Sequence, residues 1–507
     1  VFILSVEANN IRVSTRAKLE FEPKFLDSYS SETYFERNFS TLYELLESKG
    51  SLDLVKKALI SEVTPSENTQ IKLSNIDGLH DMQRLAIEYA LGMKDYLLIQ
   101  GPPGTGKTLT IAHMVNQLVN DGKKVLLACY THRAIDEVIR KITAYNPNLP
   151  LYRLGKPPVN DEKSSSNYLE AGPENELNRI EKVEAVNSII SDHPVYIATT
   201  HAWMSGNYDK LFKTSFYDVA IIDEASQVII PNALGVIRLA DKFVLVGDHM
   251  QLPPVIQSKY AADLGDTLFE TLFNIPAMPE SVKVTLDIQH RMPKTIADFI
   301  SHEFYEGLVK TPKALAVNAH EYNFSSVKYS KLLDGDNSLA LLDVSTHSTT
   351  SSRSKVSTHE ARVIMEILRD LLESGIRPQQ IGIIAPFKAQ VAEIRRQIEL
   401  NIFNSFESPE EIKHIVDTVD RFQGDERDFI IFSLSITDDY IPDLLRDTRR
   451  INVAISRAKK MFIGVGQWEK VDDSKTLKNL KSYVEKTTGA EMFSHDEMGF
   501  DLKDNEG

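Results

Sequence analysis

The sequence predicts an α/β fold with two tandem parallel sheets, and three observations predict it. Short apolar runs rich in Val, Ile and Leu recur along the chain. Runs of that kind are strands buried on both faces, as in parallel sheets. Helical stretches separate several of them, which is the rhythm of doubly wound α/β units. The rhythm breaks once and restarts, so the chain divides into two halves.

The elements follow in order. FILSVEANNIRVST reads as two strands joined near Asn9-Asn10, a good turn pair. SETYFERNFSTLYELLES places Phe35, Phe39, Leu42 and Leu46 at helical spacing. The mostly polar stretch 61–75 reads as a linker, and 1–75 as a small accessory region of β-hairpin and helices. DYLLIQ, KKVLLACY, PVYIAT, YDVAIID and KFVLVG are the strand candidates of a first unit, 76–278. PNLP, KPP and SSS mark an insertion at about 145–190. The alternation restarts after VKVTLDI, in a second unit over 279–490. ALLDV, QIGIIAP, HIVDT, DFIIFSL and KKMFIGV are its strands, and ARVIMEILRDLLES and AQVAEIRRQIEL its helices. STHSTTSSRS, at 345–354, is of low complexity and reads as a mobile loop. An acidic tail over 491–507 is expected to fray.

Composition narrows the function classes. A chain of 507 residues has room for two or three domains and large cores. It is 42% hydrophobic and 25% charged, ordinary for a soluble globular protein. No apolar run is long enough to span a bilayer, so no membrane partner and an intracellular setting, cytoplasm or nucleus, are expected. The chain starts at Val1 without an initiator Met, which leaves room for sequence upstream. Its single cysteine, Cys129, excludes an intrachain disulfide, a Cys-based zinc site and an iron–sulfur cluster. The net charge of −15 argues against a chain coated in basic charge. A local groove of backbone amides and hydroxyls stays compatible with it.

GPPGTGKT, at 101–108, follows the strand DYLLIQ and opens a helix. This is a P-loop in its proper context, where backbone N–H groups and a helix N-terminus surround phosphate. Gly104, Thr105 and Gly106 would line the phosphates of ATP, Lys107 would hold the β- and γ-phosphates, and Thr108 would ligate Mg2+. Asp223 and Glu224 end the strand YDVAII, where α/β folds bind ligands. Asp223 would hold Mg2+ and Glu224 would activate the attacking water.

The further motifs resemble those of superfamily 1 helicases. The group is the one that includes the nonsense-mediated-decay helicase, senataxin and the helicase half of the eukaryotic replication nuclease-helicase. The resemblance runs over about 79–466. HDMQRLAIEYAL resembles the glutamine motif, IIDEASQ motif II and VGDHMQLPPV motif III. LDIQHRM, VDTVDRFQGDE and RRINVAISRAKK resemble motifs IV, V and VI. The resemblance implies two RecA-like domains with an ATPase site between them. The accessory region would be the remnant of a barrel and stalk.

The same resemblance assigns roles. Gln83 would read the adenine edge, and Gln251 would sense the γ-phosphate or position the water. Arg291 and Arg457 would be arginine fingers. Glu426 would touch the ribose, and Gly424 would let backbone approach the phosphate. His290 stands where the family often has Tyr, and its imidazole would stack on adenine with less area. Thr131 and His132 in YTHRAIDEV, Thr200 and His201 in IATTHAWMS, and Thr418 of motif V would contact the nucleic-acid strand.

The implied activity is an ATP-driven helicase or translocase on single-stranded nucleic acid, moving 5′ to 3′ as a monomer. YTHRAIDEV and GDHMQLPP favour DNA, and an RNA helicase of the same family is the alternative. A nucleotide switch that recruits a protein partner is a second alternative; arginine fingers in cis speak against it. No carboxylate and lysine cluster of nuclease type stands out.

Overall fold

In the computed structural model, the residues described are 2–7, 10–14, 32–47, 51–59, 64–73, 78–154, 168–169, 194–204, 217–254, 265–276, 278–313, 322–333, 336–344, 356–422, 424–436 and 443–495. The expected loop at 345–354 lies outside them, as does most of the expected insertion.

The chain opens with an antiparallel hairpin of β1 (Phe2–Glu7) and β2 (Asn10–Ser14). The first large sheet contains β3 (Tyr96–Gln100), β4 (Val125–Cys129), β5 (Leu151–Leu154) and β6 (Tyr168–Leu169). It continues with β7 (Val195–Thr199), β8 (Tyr217–Ile222), β9 (Ala240–Gly247) and β10 (Lys283–Thr285). Their order is β10-β3-β9-β8-β4-β7-β5-β6, with every neighbour parallel. The second sheet contains β11 (Leu339–Asp343), β12 (Ile381–Ala385), β13 (Val416–Thr418), β14 (Arg427–Ser433), β15 (Ala458–Gly466) and β16 (Ala490–Ser494). Its order is β13-β12-β14-β15-β11-β16, again all parallel.

The apolar runs explain these sheets. Every residue of β3, β4 and β7 is buried, because helices cover both faces. On one face of the first sheet, Ile111, Met114, Val115 and Leu118 of the helix Lys107–Asn120 pack on Leu97, Ile99 and Val246. On the other, Leu234 and Ile237 pack on Leu98, Phe243 and Leu245. The second sheet is sandwiched likewise, by the helix Thr358–Glu373 on one face and Ile451, Ala454 and Ile455 on the other.

Four boundaries differ from the sequence reading. The second unit was expected to open at 279, yet β10 pairs with β3 and belongs to the first sheet. Three residues of VKVTLDI are too short a run to show which sheet they join. Inside the expected insertion, β5 extends the first sheet beside β7. In the expected tail, β16 pairs with β11 along Ala490–Ser494, because Met492 and Phe493 find apolar partners there. The linker is also pinned: Asn68 donates to the carbonyls of Tyr96 and Ser281, both at 3.0 Å.

The accessory helices pack on the first unit. Leu52, Val55 and Ala58 of the helix Ser51–Leu59 enter its core. In the helix Glu32–Leu46, Leu42 packs inward, whereas Phe39 is 65% exposed and Leu46 is 64% exposed. Arg238 reaches across to Glu44 at 2.9 and 3.0 Å and fastens this helix. Among the described residues, no helix is long and apolar enough to cross a membrane.

The tightest point of the second sheet is Gly464 in β15. A Cβ there would stand 2.5 Å from Trp468 and 3.1 Å from Leu341. Overpacking of this kind costs about 1–3 kcal/mol. Gly464→Ala is therefore expected to lower the thermal midpoint of unfolding measured by circular dichroism. An unchanged midpoint would mean that Trp468 yields freely.

A candidate nucleotide site between the two sheets

Three neighbouring strands of the first sheet end at one place. β3 delivers the P-loop, β9 delivers Asp248 and Gln251, and β8 delivers Asp223 and Glu224. The Gly101 N–H donates to the Gly247 carbonyl at 2.9 Å, which ties the first two ends together. The loop needs glycine where its backbone turns left-handed, at Gly104 (φ 76°) and Gly106 (φ 82°). Gly106 then caps the helix Lys107–Asn120, whose N-terminus favours negative charge. Lys107 folds back so that Nζ donates to the Gly101 carbonyl at 2.8 Å and stands 4.0 Å from Glu224 Oε1. Thr108 is half-buried on the first turn of that helix. Thr105 holds its own loop, donating through Oγ1 to the Pro102 carbonyl at 2.8 Å.

Asp223 is only 4% exposed. Burial, and then the neighbouring Glu224 carboxylate, push its pKa up to about 7, while Lys107 opposes the shift. A buried carboxylate that is costly to charge suits a divalent cation, whose charge removes that cost. The donor set of Asp223 and Thr108 beside a P-loop therefore fits Mg2+. Glu224 takes a left-handed backbone, φ 52°, unusual for a residue other than glycine. Its Oε2 accepts from Gln227 at 3.2 Å, which orients the carboxylate.

The glutamine-motif helix braces the loop. Gln83 Nε2 donates to the Thr105 carbonyl at 2.9 Å, and its Oε1 accepts from the His80 N–H at 3.0 Å. In this geometry Gln83 joins the helix to the P-loop, a job that the adenine-edge role did not include. His80 also stacks on His290, with ring centroids 4.8 Å apart. Burial, and then His80, lower the pKa of His290.

Two arginines come to this place from after β10 and from the second sheet. β10 runs beside β3 and carries Gln289, His290 and Arg291 onto the P-loop. The His290 N–H donates to the Gly104 carbonyl at 2.9 Å. Buried Gln289 shapes the turn, accepting from the N–H groups of Arg291 and Met292 at 2.9 and 2.8 Å. Arg291 Nε donates to Glu426 Oε2 at 2.7 Å, and Glu426 also faces Lys459 at 3.7 Å. Arg457 is 3% exposed at the end of the helix Thr448–Ser456. It donates to Gln251 Oε1 at 3.0 Å, to the Asp425 carbonyl at 3.2 Å and to the Val453 carbonyl at 3.1 Å. Burial, and then the charge of Arg291, push its pKa down to about 9. Gly424 takes φ 77°, and nothing lies within 4 Å of where its Cβ would be, so backbone conformation is its requirement.

The contacts around Gln251 extend past the expected residues. Asp248 Oδ2 accepts from Gln251 Nε2 at 2.7 Å and from the Tyr305 hydroxyl at 2.6 Å. Asn452 donates to that hydroxyl at 2.9 Å and to the Met250 carbonyl at 2.7 Å. Asp248 and Asn452 lie inside quoted motifs and were open to inference. Tyr305 sits in no motif, and nothing in its local sequence singles it out.

The residues expected to meet a strand are dispersed. Thr131 is exposed and caps the helix His132–Tyr145, accepting from the Ala134 N–H at 3.1 Å. His132 is exposed, and its Nδ1 stands 3.3 Å from Arg153. Thr200 is 3% exposed, so its hydroxyl does not reach the surface in this conformation, whereas His201 beside it is exposed. Thr199 caps that turn instead, accepting from the Ala202 N–H at 3.0 Å. Thr418 is half-buried at the end of β13, and its N–H donates to Asp417 at 2.7 Å. Cys129 is buried at the end of β4, and burial raises its thiol well above the usual range.

Two family models, each described as an AAA domain, match residues 264–469 and residues 78–189 with 173–259. The chain is 32% identical over 464 residues to the DNA replication ATP-dependent helicase/nuclease DNA2 of Xenopus laevis, covering 85% of this chain and 42% of that protein. It is 30% identical over 430 residues to the Homo sapiens protein of the same name, covering 80% and 39%. The chain thus spans less than half the length of these relatives. The arterivirus nonstructural protein 10 helicase, solved in complex with DNA, is 13% identical with a TM-score of 0.39, over 78% of this chain and 65% of that one.

The P-loop and the Arg291 turn touch closely enough to test. A Cβ at Gly104 would lie 2.7 Å from Arg291 Cβ, on a left-handed backbone. Strain of about 1–3 kcal/mol is the usual cost of such a conformation. Gly104→Ala is expected to weaken ATP binding by roughly tenfold or more, read by titration with a fluorescent nucleotide. Native affinity in that variant would mean that the loop does not close on phosphate in this form.

Proposed function

We infer that the chain belongs to the superfamily 1 helicases, in the group with the nonsense-mediated-decay helicase, senataxin and the DNA replication helicase/nuclease. From that premise we propose that it hydrolyses ATP to move along single-stranded DNA, 5′ to 3′, and to unwind duplex ahead of it. One observation carries the reading. Arg457, from the second sheet, is buried against Gln251 of the first, while Arg291 sits over the P-loop. Arginines built in cis into a P-loop site suit fast turnover and not a slow switch.

Each residue has a part. Gly104, Thr105, Gly106 and the first helical N–H groups surround phosphate, and Lys107 neutralises its charge. Mg2+, held by Thr108 and Asp223, would supply charge neutralisation on the phosphate oxygens. Glu224 takes the proton of the attacking water, and Gln251 orients that water. Arg291 and Arg457 stabilise the charge that develops in the transition state. For this, Arg291 turns from Glu426 toward the phosphates. His290 offers a flat face to adenine, and Glu426 accepts from the ribose. Closing and opening of the cleft alternate the grip of the two units on the strand.

Thr131, His132, His201 and Thr418 lie at strand ends or helix starts, where hydroxyls and backbone amides hold phosphates without reading sequence. The burial of Thr200 moves its contact to the backbone. A net charge of −15 makes a sequence-wide basic coat impossible, so binding relies on these few positions. We propose the same residue ranges for the working units as the sheets define: 78–285 for the first and 286–495 for the second, with the accessory helices on the first.

Matched DNA and RNA single strands, added to the ATPase assay, test the substrate. DNA should stimulate turnover more than RNA. Greater stimulation by RNA would convert the reading to an RNA helicase, and indifference to both would favour a nucleotide switch. Duplexes with one 5′ or one 3′ overhang then read polarity.

Glu224→Gln should bind ATP and lose turnover, because the base goes while Asp223 stays. Near-native turnover would remove Glu224 from the base role. Arg291→Ala and Arg457→Ala should each lower turnover by about a thousandfold or more, the range for arginine fingers. A variant that hydrolyses at the native rate would mark that arginine as structural. Thr131→Ala with Thr418→Ala should weaken strand binding, but Thr131 is also a helix cap worth about 1 kcal/mol. Melting of the double variant must therefore be measured beside a strand titration. Unchanged affinity would move the strand path elsewhere.

A further inference from the structure

Arg133 lies in the first turn of the helix His132–Tyr145, two residues from Thr131. Its Nη2 donates to Asp425 Oδ1 at 2.6 Å. Asp425 belongs to the loop before β14, so this pair joins the helix whose start we propose to meet the strand to the second unit. The partners are unequal: the Arg133 side chain is 70% exposed and that of Asp425 is 14% exposed. Asp425 has a second cation, Arg427, which donates to both of its oxygens at 2.7 and 2.9 Å. Its backbone carbonyl accepts from Arg457 Nη1 at 3.2 Å. One residue thus touches Arg133 of the first unit through its carboxylate and buried Arg457 through its carbonyl.

We propose that the Arg133–Asp425 pair is a strand sensor: a nucleic-acid phosphate competes with Asp425 for the Arg133 guanidinium, and the released loop resets Arg457. This rests on the reading of the chain as a strand-driven ATPase. Three features support it. An exposed ion pair is weak and exchanges readily. A phosphate accepts from a guanidinium fork at least as well as a carboxylate does. Breaking the pair leaves no orphan charge, because Arg427 keeps Asp425 satisfied. The rest of the cleft is held without it, by Arg457 on Gln251, Asn452 on the Met250 carbonyl and Arg449 on Glu270 at 2.6 Å. Arg133 is therefore a positioning residue, not a brace on which the two units depend.

A sensor and a brace differ in sign. If phosphate and Asp425 compete, removing the phosphate's ligand and removing its competitor act in opposite directions. Binding of a labelled DNA single strand, at several salt concentrations, and turnover with and without that strand are the measurements. Arg133→Gln should weaken strand binding about two- to fivefold and lower the salt slope by about one. Arg133→Lys, which keeps the charge, should stay nearer to native. Asp425→Asn should tighten binding by a similar factor and raise strand-free turnover toward the stimulated rate. Adding Arg133→Gln to Asp425→Asn should abolish the tightening. Weaker binding in both single variants, or no change in either, would overturn the proposal. Should Asp425→Asn fail to fold, an unchanged salt slope in Arg133→Gln overturns it alone. Native protein that no strand stimulates would instead overturn the functional reading beneath it.

Discussion

A guanidinium taken out of water must find acceptors, because an unpaired buried charge costs several kcal/mol. Arg457 sets that demand at the centre of this molecule. Val453 and Asp425 supply backbone carbonyls from the second unit, and Gln251 supplies an amide oxygen from the first. Gln251 is aimed by Asp248, Asp248 is also held by Tyr305, and Tyr305 by Asn452. This polar network is thus one of the links between the two units, beside the Arg449–Glu270 and Arg133–Asp425 pairs. Apolar packing alone would let the units slide. A network of groups that hold one another in this way admits few arrangements.

The same network places strain where chemistry is expected. Glu224 holds a left-handed backbone that glycine would take at less cost, and Asp223 beside it is buried without a cation partner in contact. Both conditions raise the energy of this corner. A cation beside Asp223 would remove the cost of charging it. The P-loop shows the complementary economy. Its two left-handed positions are glycines, so the turn carries no such cost, and Lys107 borrows the Gly101 carbonyl as an acceptor.

Much of the fold was legible because each central strand is short, apolar and flanked by helix. DYLLIQ, YDVAIID and KFVLVG read as central strands, and the structure adds their order, β3-β9-β8. The edges were not legible. β10 has three residues and β16 mixes Glu491 with Met492 and Phe493, so neither presents the periodicity that marks an element. Their identity comes from neighbours far away in the chain. At the site, motif order led to Lys107, Asp223, Glu224, Gln251, Arg291 and Arg457, and the structure gathers these around one cleft. Tyr305, Arg133 and Asp425 were not foreseen, because their importance lies in pairings between distant segments. Thr200 was expected at the strand by motif resemblance, which carries no burial information, and the structure buries its side chain.

His290 shows how a departure from a family pattern is resolved by context. Alone, an imidazole is a smaller stacking surface than a phenol ring, and a charged imidazolium would be a poorer one for an electron-poor base. The structure gives it a second ring, His80, from the helix that also carries Gln83. The stacked partner backs one face of the His290 ring. Burial, and then the charge of His80, lower the pKa of His290. Gln83 Oε1 accepts from the backbone of His80, while the backbone of His290 donates to Gly104. The pair is therefore anchored on both sides to the P-loop, once through Gln83 and once directly. A histidine that looks like a loss in the linear sequence is thus half of a stacked pair held against the P-loop.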